Sequence, residues 1–120
     1  MGVRSNQQIW EIVDRANCNY NVCMSEIDFD WDPRKADSNL RKHGISFEEA
    51  SSAFYDEHAR LMYDPDHSED EDRYILLGVS EESRFLMVCH LYKENDRLIR
   101  IISARPATKN ERRQYQEFLV

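Results

Sequence analysis

Between Arg73 and Arg105 three β-rich runs, RYILLGVS, RFLMVCHLY and LIRIISAR, follow one another with only EES and KENDR between them. Links that short cannot hold the crossover that a parallel pair needs, so the runs are expected to form an antiparallel meander. Glu, Asn, Asp and Ser in the links supply the turn chemistry. Whatever else the chain does, it must be built around that sheet.

Upstream, IDFDW alternates Ile27, Phe29 and Trp31 on one face and predicts a short strand. Asp32 then stands as an N-cap, Pro33 takes the first helical position and Gly44 is the C-terminal stop of a first helix. Ser46 and Glu49 form a capping box that opens a second helix, running through Phe54, and ARLMYD predicts a strand ending at Pro65. Thr108 and Glu111 form another capping box, for a final helix with Tyr115, Phe118 and Leu119 as its apolar stripe. The order is β-α-α-β-β-β-β-α. That is an α+β fold, with a mostly antiparallel sheet and helices banked against one face. At 120 residues, 41% apolar and 32% charged, one thin core is expected, with part of a sheet face left polar.

Residues 1–23 read differently. Ser5 with Gln8 makes a capping-box pattern, and Ile9, Ile12, Val13 and Ala16 fall at helical spacing, predicting a short amphipathic helix. Met24 opens a segment that reads as a complete domain. The expected division is therefore an extension over 1–23, either a helix packed on the domain or a leader before a start at Met24, and a single domain over 24–120. No basic stretch leads into an apolar run at the start, and no stretch reaches membrane-spanning length. With three cysteines, Cys18, Cys23 and Cys89, a cytoplasmic chain with reduced thiols is expected. Cys18 and Cys23 lack a second Cys/His pair nearby, so no metal centre is expected there.

The stretch DPDHSEDEDRY, Asp64 to Tyr74, places Asp64, Asp66, Ser68, Asp70 and Asp72 at alternate positions, as the early ligands of a calcium loop would be. The match fails where the sixth position needs Gly and holds Glu69, and where the twelfth needs Glu and holds Ile75. It reads as a solvated acidic loop carrying one side chain able to move a proton near neutral pH, His67. The formal net charge of −7 argues against nucleic-acid binding by bulk electrostatics, though not against a local basic groove. Lys35, Asn39 and Lys42 share one face of the first helix, either a phosphate-holding stripe or a solvated face, with Ala36 and Leu40 on another. Arg100 interrupts the apolar run of its strand. Arg105 has the opposite parity but lies at the strand end, where a bulge could re-aim it. Arg84 opens its own strand and could lie near Arg100 across the sheet. Such arginines either pair with carboxylates or face an anion.

FDWDPRKADSNLRKHGISFEEASSAF, DHSEDEDRYILLGVS and RIISARPATKNERRQY together resemble the BrnT family of type II toxin–antitoxin toxins, over about Asp28 to Tyr115. The resemblance implies a RelE-like fold and a small ribonuclease that blocks translation by cutting RNA, free or on the ribosome. It also implies a BrnA-type antitoxin that neutralises the toxin in a higher-order complex, and contact with operon DNA only through that antitoxin. RNA carries its own nucleophile, the 2′-OH, so no metal or other cofactor is needed if the protein aligns it and neutralises the phosphoryl charge. On this reading Arg84, Arg100 and Arg105 are electrostatic clamps, because arginine cannot serve as a base. His67 is the general acid or base and His43 its fallback. Lys35 and Lys42 hold flanking phosphates, and Trp31 or Tyr115 either stacks a base or packs in the core. Two other classes stay open. One is a non-catalytic module docking a basic partner, with Arg100 and Arg105 paired to Glu69, Glu71 or Asp72; the other is a metal-dependent hydrolase using Asp64, Asp66 and His67.

Overall fold

A computed structural model describes residues 11–12, 27–65 and 71–118. In chain order the elements are β1 (Glu11–Ile12), β2 (Asp28–Asp30), α1 (Pro33–His43), α2 (Phe47–Ser52) with a 3-10 turn (Ala53–Tyr55), and β3 (Arg60–Asp64). β4 (Arg73–Val79), β5 (Phe85–Lys93), β6 (Leu98–Pro106) and α3 (Lys109–Phe118) follow. The three β-rich runs do form an antiparallel meander, which β3 extends, and the sheet order is β1-β3-β4-β5-β6-β2. β2 makes the one parallel pairing among the described strands, against the first residues of β6. The fold is α+β with a mostly antiparallel sheet, as expected.

The helix boundaries follow their caps. Asp32 accepts from the Arg34 amide at 2.9 Å, and Gly44 closes α1 with φ 72°, its amide on the Leu40 carbonyl. The Thr108–Glu111 box is complete, with bonds of 2.8 and 3.1 Å in the two directions. The Ser46 box is only half made. Ser46 caps the Glu49 amide at 3.0 Å, but the Glu49 carboxylate turns instead to Ser80 and Arg84.

Two expectations need correcting. Glu11–Ile12, inside the stretch read as helical, pairs as a strand with Arg60 and Leu61. An isolated helix that short is marginal, and the open edge of β3 offers backbone partners. The rest of 1–23, Leu119 and the Phe118 side chain lie outside the described residues. The helices also do not share one face of the sheet. α1, α2 and the 3-10 turn cover the inner face, where Ile45, Phe47, Ala50 and Phe54 meet Leu76, Val88, Ile99 and Ile101. α3 crosses to the outer face, where Tyr115 packs on Leu77 and Met87 beside Ile75, Val79 and Phe85. Those residues make the outer face apolar at that end, so it needs a cover of its own.

His90 is fully buried in β5, its Nδ1 3.0 Å from the Val88 carbonyl and its Nε2 3.2 Å from the Tyr92 hydroxyl. Burial lowers its pKa from 6.5 to about 4, so the folded chain keeps the ring neutral where the unfolded chain takes a proton. The contribution is full above pH 6.5, falls as pH drops towards about 4, and changes no further below that. The loss is on the order of 3 kcal/mol. Asp30, Glu49 and Glu111, whose pKa values are lowered chiefly by hydrogen bonds from arginines, begin to add their own loss as pH falls through the ordinary values of 3.8 for Asp and 4.5 for Glu. Urea unfolding should show a stability difference of that size between about pH 7 and about pH 4.5. His90→Gln should remove most of it.

Candidate functional site

Among the described residues, only half of the outer face of the sheet is covered. α3 lies over the end marked by Leu77, Val79 and Phe85. At the uncovered end a groove of about 300 Å³ is lined by His43, Asp64, Arg73, Cys89, Ser103 and Arg105, with Met87 on its floor. A β-bulge builds it. Cys89 pairs with Ser103 but His90 pairs with Ile101, so Ile102 is an extra residue in β6. Before the bulge Ile99 and Ile101 point into the inner core; after it Ala104 does. The change of parity puts Arg105 on the same outer face as Arg100, although their spacing in a regular strand would oppose them.

α1 holds the other wall. The ladder between β2 and β6 ends at Arg100, and no other described strand pairs with that edge of β6 beyond it. Asn39 takes over there. Its Nδ2 donates to the Ala104 carbonyl at 2.8 Å and the Ile45 carbonyl at 3.0 Å, and its Oδ1 accepts from the Ala104 amide at 3.1 Å. The predicted Lys35–Asn39–Lys42 stripe is therefore broken up. Lys35 and Lys42 are exposed, Asn39 is 6% exposed as a structural bridge, and Leu40, read as apolar face, is 48% exposed. His43, one turn beyond Asn39, reaches the groove.

Each predicted arginine has a carboxylate partner, and none is the expected one. Arg100 donates to Asp30 at 2.7 Å, across the β2–β6 ladder. Arg105 makes a two-pronged contact with Glu111, both bonds 2.9 Å, which pulls the Glu111 carboxyl below its ordinary pKa. Glu71 pairs with Lys93 instead, and Glu69 lies outside the described residues. Arg84 does not approach Arg100. Arg100 pairs in register with Leu91, so Arg84, seven residues along β5, lies more than about 20 Å away at the antiparallel strand's far end. Its guanidinium grips the buried Glu49 carboxylate from two sides and the Gly44 carbonyl at 3.3 Å, bracing α2 to the β4–β5 turn. Even Arg100 and Arg105 are about 16 Å apart along β6, enough to hold different phosphates but not one.

The two aromatic candidates belong to the core. Trp31 packs edge-on to Phe47 at 5.8 Å. Tyr115 is 5% exposed, edge-on to Phe85, its hydroxyl donating to Asp56 at 2.7 Å, which leaves no ring face for a base. His67 and Asp66 lie outside the described residues, while Asp64 is buried at the end of β3. Arg73, Ser103 and Cys89 are groove residues that the sequence reading missed. The signal was parity: Arg73, Ile75, Met87 and Cys89 alternate with the core residues Leu76, Leu86 and Val88. Burial raises the Cys89 thiol pKa, and the Arg73 and Lys35 charges act against that rise. The thiol is thus a groove wall rather than a reactive thiolate. Two guanidinium groups and an imidazole, with the Asp64 carboxylate in register beside Arg73, line one groove that can hold an anion and move a proton beside it.

A protein-family model described as ribonuclease toxin, BrnT, of type II toxin-antitoxin system matches residues 31–111. Among solved structures, the crystal structure of the Brucella abortus ribonuclease toxin BrnT is similar at 23% identity and a TM-score of 0.47, covering 69% of this chain and 99% of that one. No curated protein matches the chain.

Proposed function

The chain belongs to the BrnT family of ribonuclease toxins of type II toxin–antitoxin systems, and we propose that it cuts RNA in the groove on the outer sheet face without a metal. The observation that carries this is the bulge at Ile102, which turns Arg105 into the same groove as Arg73 and His43. In this reading the RNA 2′-oxygen attacks the adjacent phosphorus as a base takes its proton. The bond from phosphorus to the 5′-oxygen breaks, and an acid returns a proton to that oxygen. The products are a 2′,3′-cyclic phosphate and a 5′-hydroxyl. Arg105 stabilises charge on the phosphoryl oxygens, an effect strongest in the transition state, and Arg73, about four residues along the sheet from it, holds the adjoining phosphate. Arg100, farther along β6, holds a flanking phosphate, as do Lys35 and Lys42 on α1. His43 and His67 are the proton carriers, and Arg84 acts only as a brace for α2. A BrnA-type antitoxin neutralises the toxin in the cytoplasm, and translation falls when it is absent, whether RNA is cut free or on the ribosome.

The test is cleavage by the purified chain in excess chelator, with product ends identified. Cyclic phosphate ends formed at an undiminished rate are the expected result. Cleavage abolished by chelator would overturn the metal-free mechanism. RNA left intact under all conditions, ribosomes included, would leave the groove as a protein-docking surface.

A further inference from the structure

Six cations already answer a carboxylate: Arg34, Arg41, Arg84, Lys93, Arg100 and Arg105 each have one within 4 Å. As well as the exposed Lys35 and Lys42 of α1, three cations differ: Lys109, Arg112 and Arg113. They stand exposed on one flank of α3, at i, i+3 and i+4, and none pairs with a carboxylate among the described residues. Together with Gln116 and the half-buried Phe85 they line a hollow of about 320 Å³ that contains no acidic residue. Three unneutralised cations round one concavity are unexpected on a chain of net charge −7.

We propose that this hollow is a second RNA site, which captures the single-stranded phosphate backbone flanking the bond to be cut. The proposal rests on the ribonuclease reading above. The groove's own clamp, Arg105, is neutralised by Glu111 and attracts little from a distance. Approach of a polyanion to an acidic chain needs cations that are not already answered. The hollow supplies them close to the groove. Met87 lies on the groove floor, and Phe85, two residues along the same face of β5, lines the hollow. Lys109 follows Arg105 by four residues, so a strand leaving the groove meets the hollow on passing the first turn of α3. Arg112 and Arg113 can pair with phosphates or lie flat on a base, which suits single-stranded RNA of any sequence.

The experiment is binding of a single-stranded 2′-O-methyl oligonucleotide, about 20 nucleotides long, over a range of salt concentrations. Its blocked 2′-oxygen prevents cleavage, so the result does not depend on whether the chain is a nuclease. The variant carries Lys109→Gln, Arg112→Gln and Arg113→Gln. A control with the same charge change carries Arg34→Gln, Arg41→Gln and Lys93→Gln, whose cations are paired. Neutralising three phosphate contacts on a single strand should flatten log Kd against log salt by about 2 units. Between 50 and 200 mM salt the wild-type Kd should therefore rise roughly 15- to 20-fold more than the variant's. The control should stay within about half a unit of wild type. Equal flattening in both triple variants would make the effect bulk charge and overturn the site, and so would an unchanged slope in the α3 variant. Weakened antitoxin binding with an unchanged RNA slope would assign the hollow to a protein partner. A clear slope difference in a chain that cuts no RNA would sink the ribonuclease reading while leaving the RNA site standing.

Discussion

Arg105→Ala will slow RNA cleavage about a hundredfold or more at saturating RNA, in a chain that still folds. The size of the effect follows from when the charge is needed. The phosphoryl oxygens gain charge on the way to the transition state, so a guanidinium there stabilises it more than the bound substrate, and kcat falls rather than KM rising. The structural alternative is that Arg105 matters only because it ties β6 to the first turn of α3 through Glu111. With Arg105 42% exposed and Glu111 15% exposed, losing that tie should destabilise by only about 1–2 kcal/mol. Glu111→Gln separates the two explanations. Gln keeps the cap on the Thr108 amide but removes the charge that holds Arg105. If Arg105 acts on RNA, Glu111→Gln retains cleavage while Arg105→Ala loses it. If the tie is what counts, both lose it together. Single-turnover rates at saturating RNA, with melting temperatures for each variant, decide the matter. Arg105→Lys, which keeps the charge without the planar fork, should recover only part of the rate.

Local chemistry was legible in the sequence, and pairing across the sheet was not. Asp32, Pro33 and Gly44 bound α1, and Thr108 with Glu111 opens α3, because caps are contacts between residues two to four apart. The meander was legible for the same reason: its links are too short to permit another topology. The bulge carries no Gly or Pro to mark it; Ile101 and Ile102 are equally good strand residues, and only the inner core decides which of them is buried. That one residue sets which face Arg105 takes, so the sequence could suggest its re-aiming without assigning it. The carboxylate partners were similarly hidden. Asp30 and Arg100 are 70 residues apart and meet only because β2 inserts parallel to β6, a pairing no turn signal announces. Acidic residues crowded round His67 were the obvious candidates to brace the arginines, yet the two on the groove side are braced from β2 and α3. α3 itself was placed on the wrong face because its apolar stripe shows that it packs, not where.

Asn39→Ala should cost about 3–5 kcal/mol of stability, more than truncating any exposed apolar residue of α1. The carboxamide does for β6 what a neighbouring strand would do, meeting both the amide and the carbonyl of Ala104, and it also holds the Ile45 carbonyl just past the helix stop. Alanine leaves three buried backbone groups unmet, each at about 1–3 kcal/mol, partly relieved if water enters. Asn39→Asp should be no better: a carboxylate can still accept from the Ala104 amide but would face two carbonyls with nothing to donate. Leu40→Ala is the informative comparison. Hydropathy makes Leu40 the anchor of α1 and Asn39 part of a polar stripe, whereas the structure leaves Leu40 half in solvent. Its truncation should therefore change stability by less than about 1 kcal/mol. Urea midpoints for the three variants test the reversed ranking. A larger loss for Leu40→Ala than for Asn39→Ala would mean that α1 is rotated relative to β6, and that His43 does not stand at the groove.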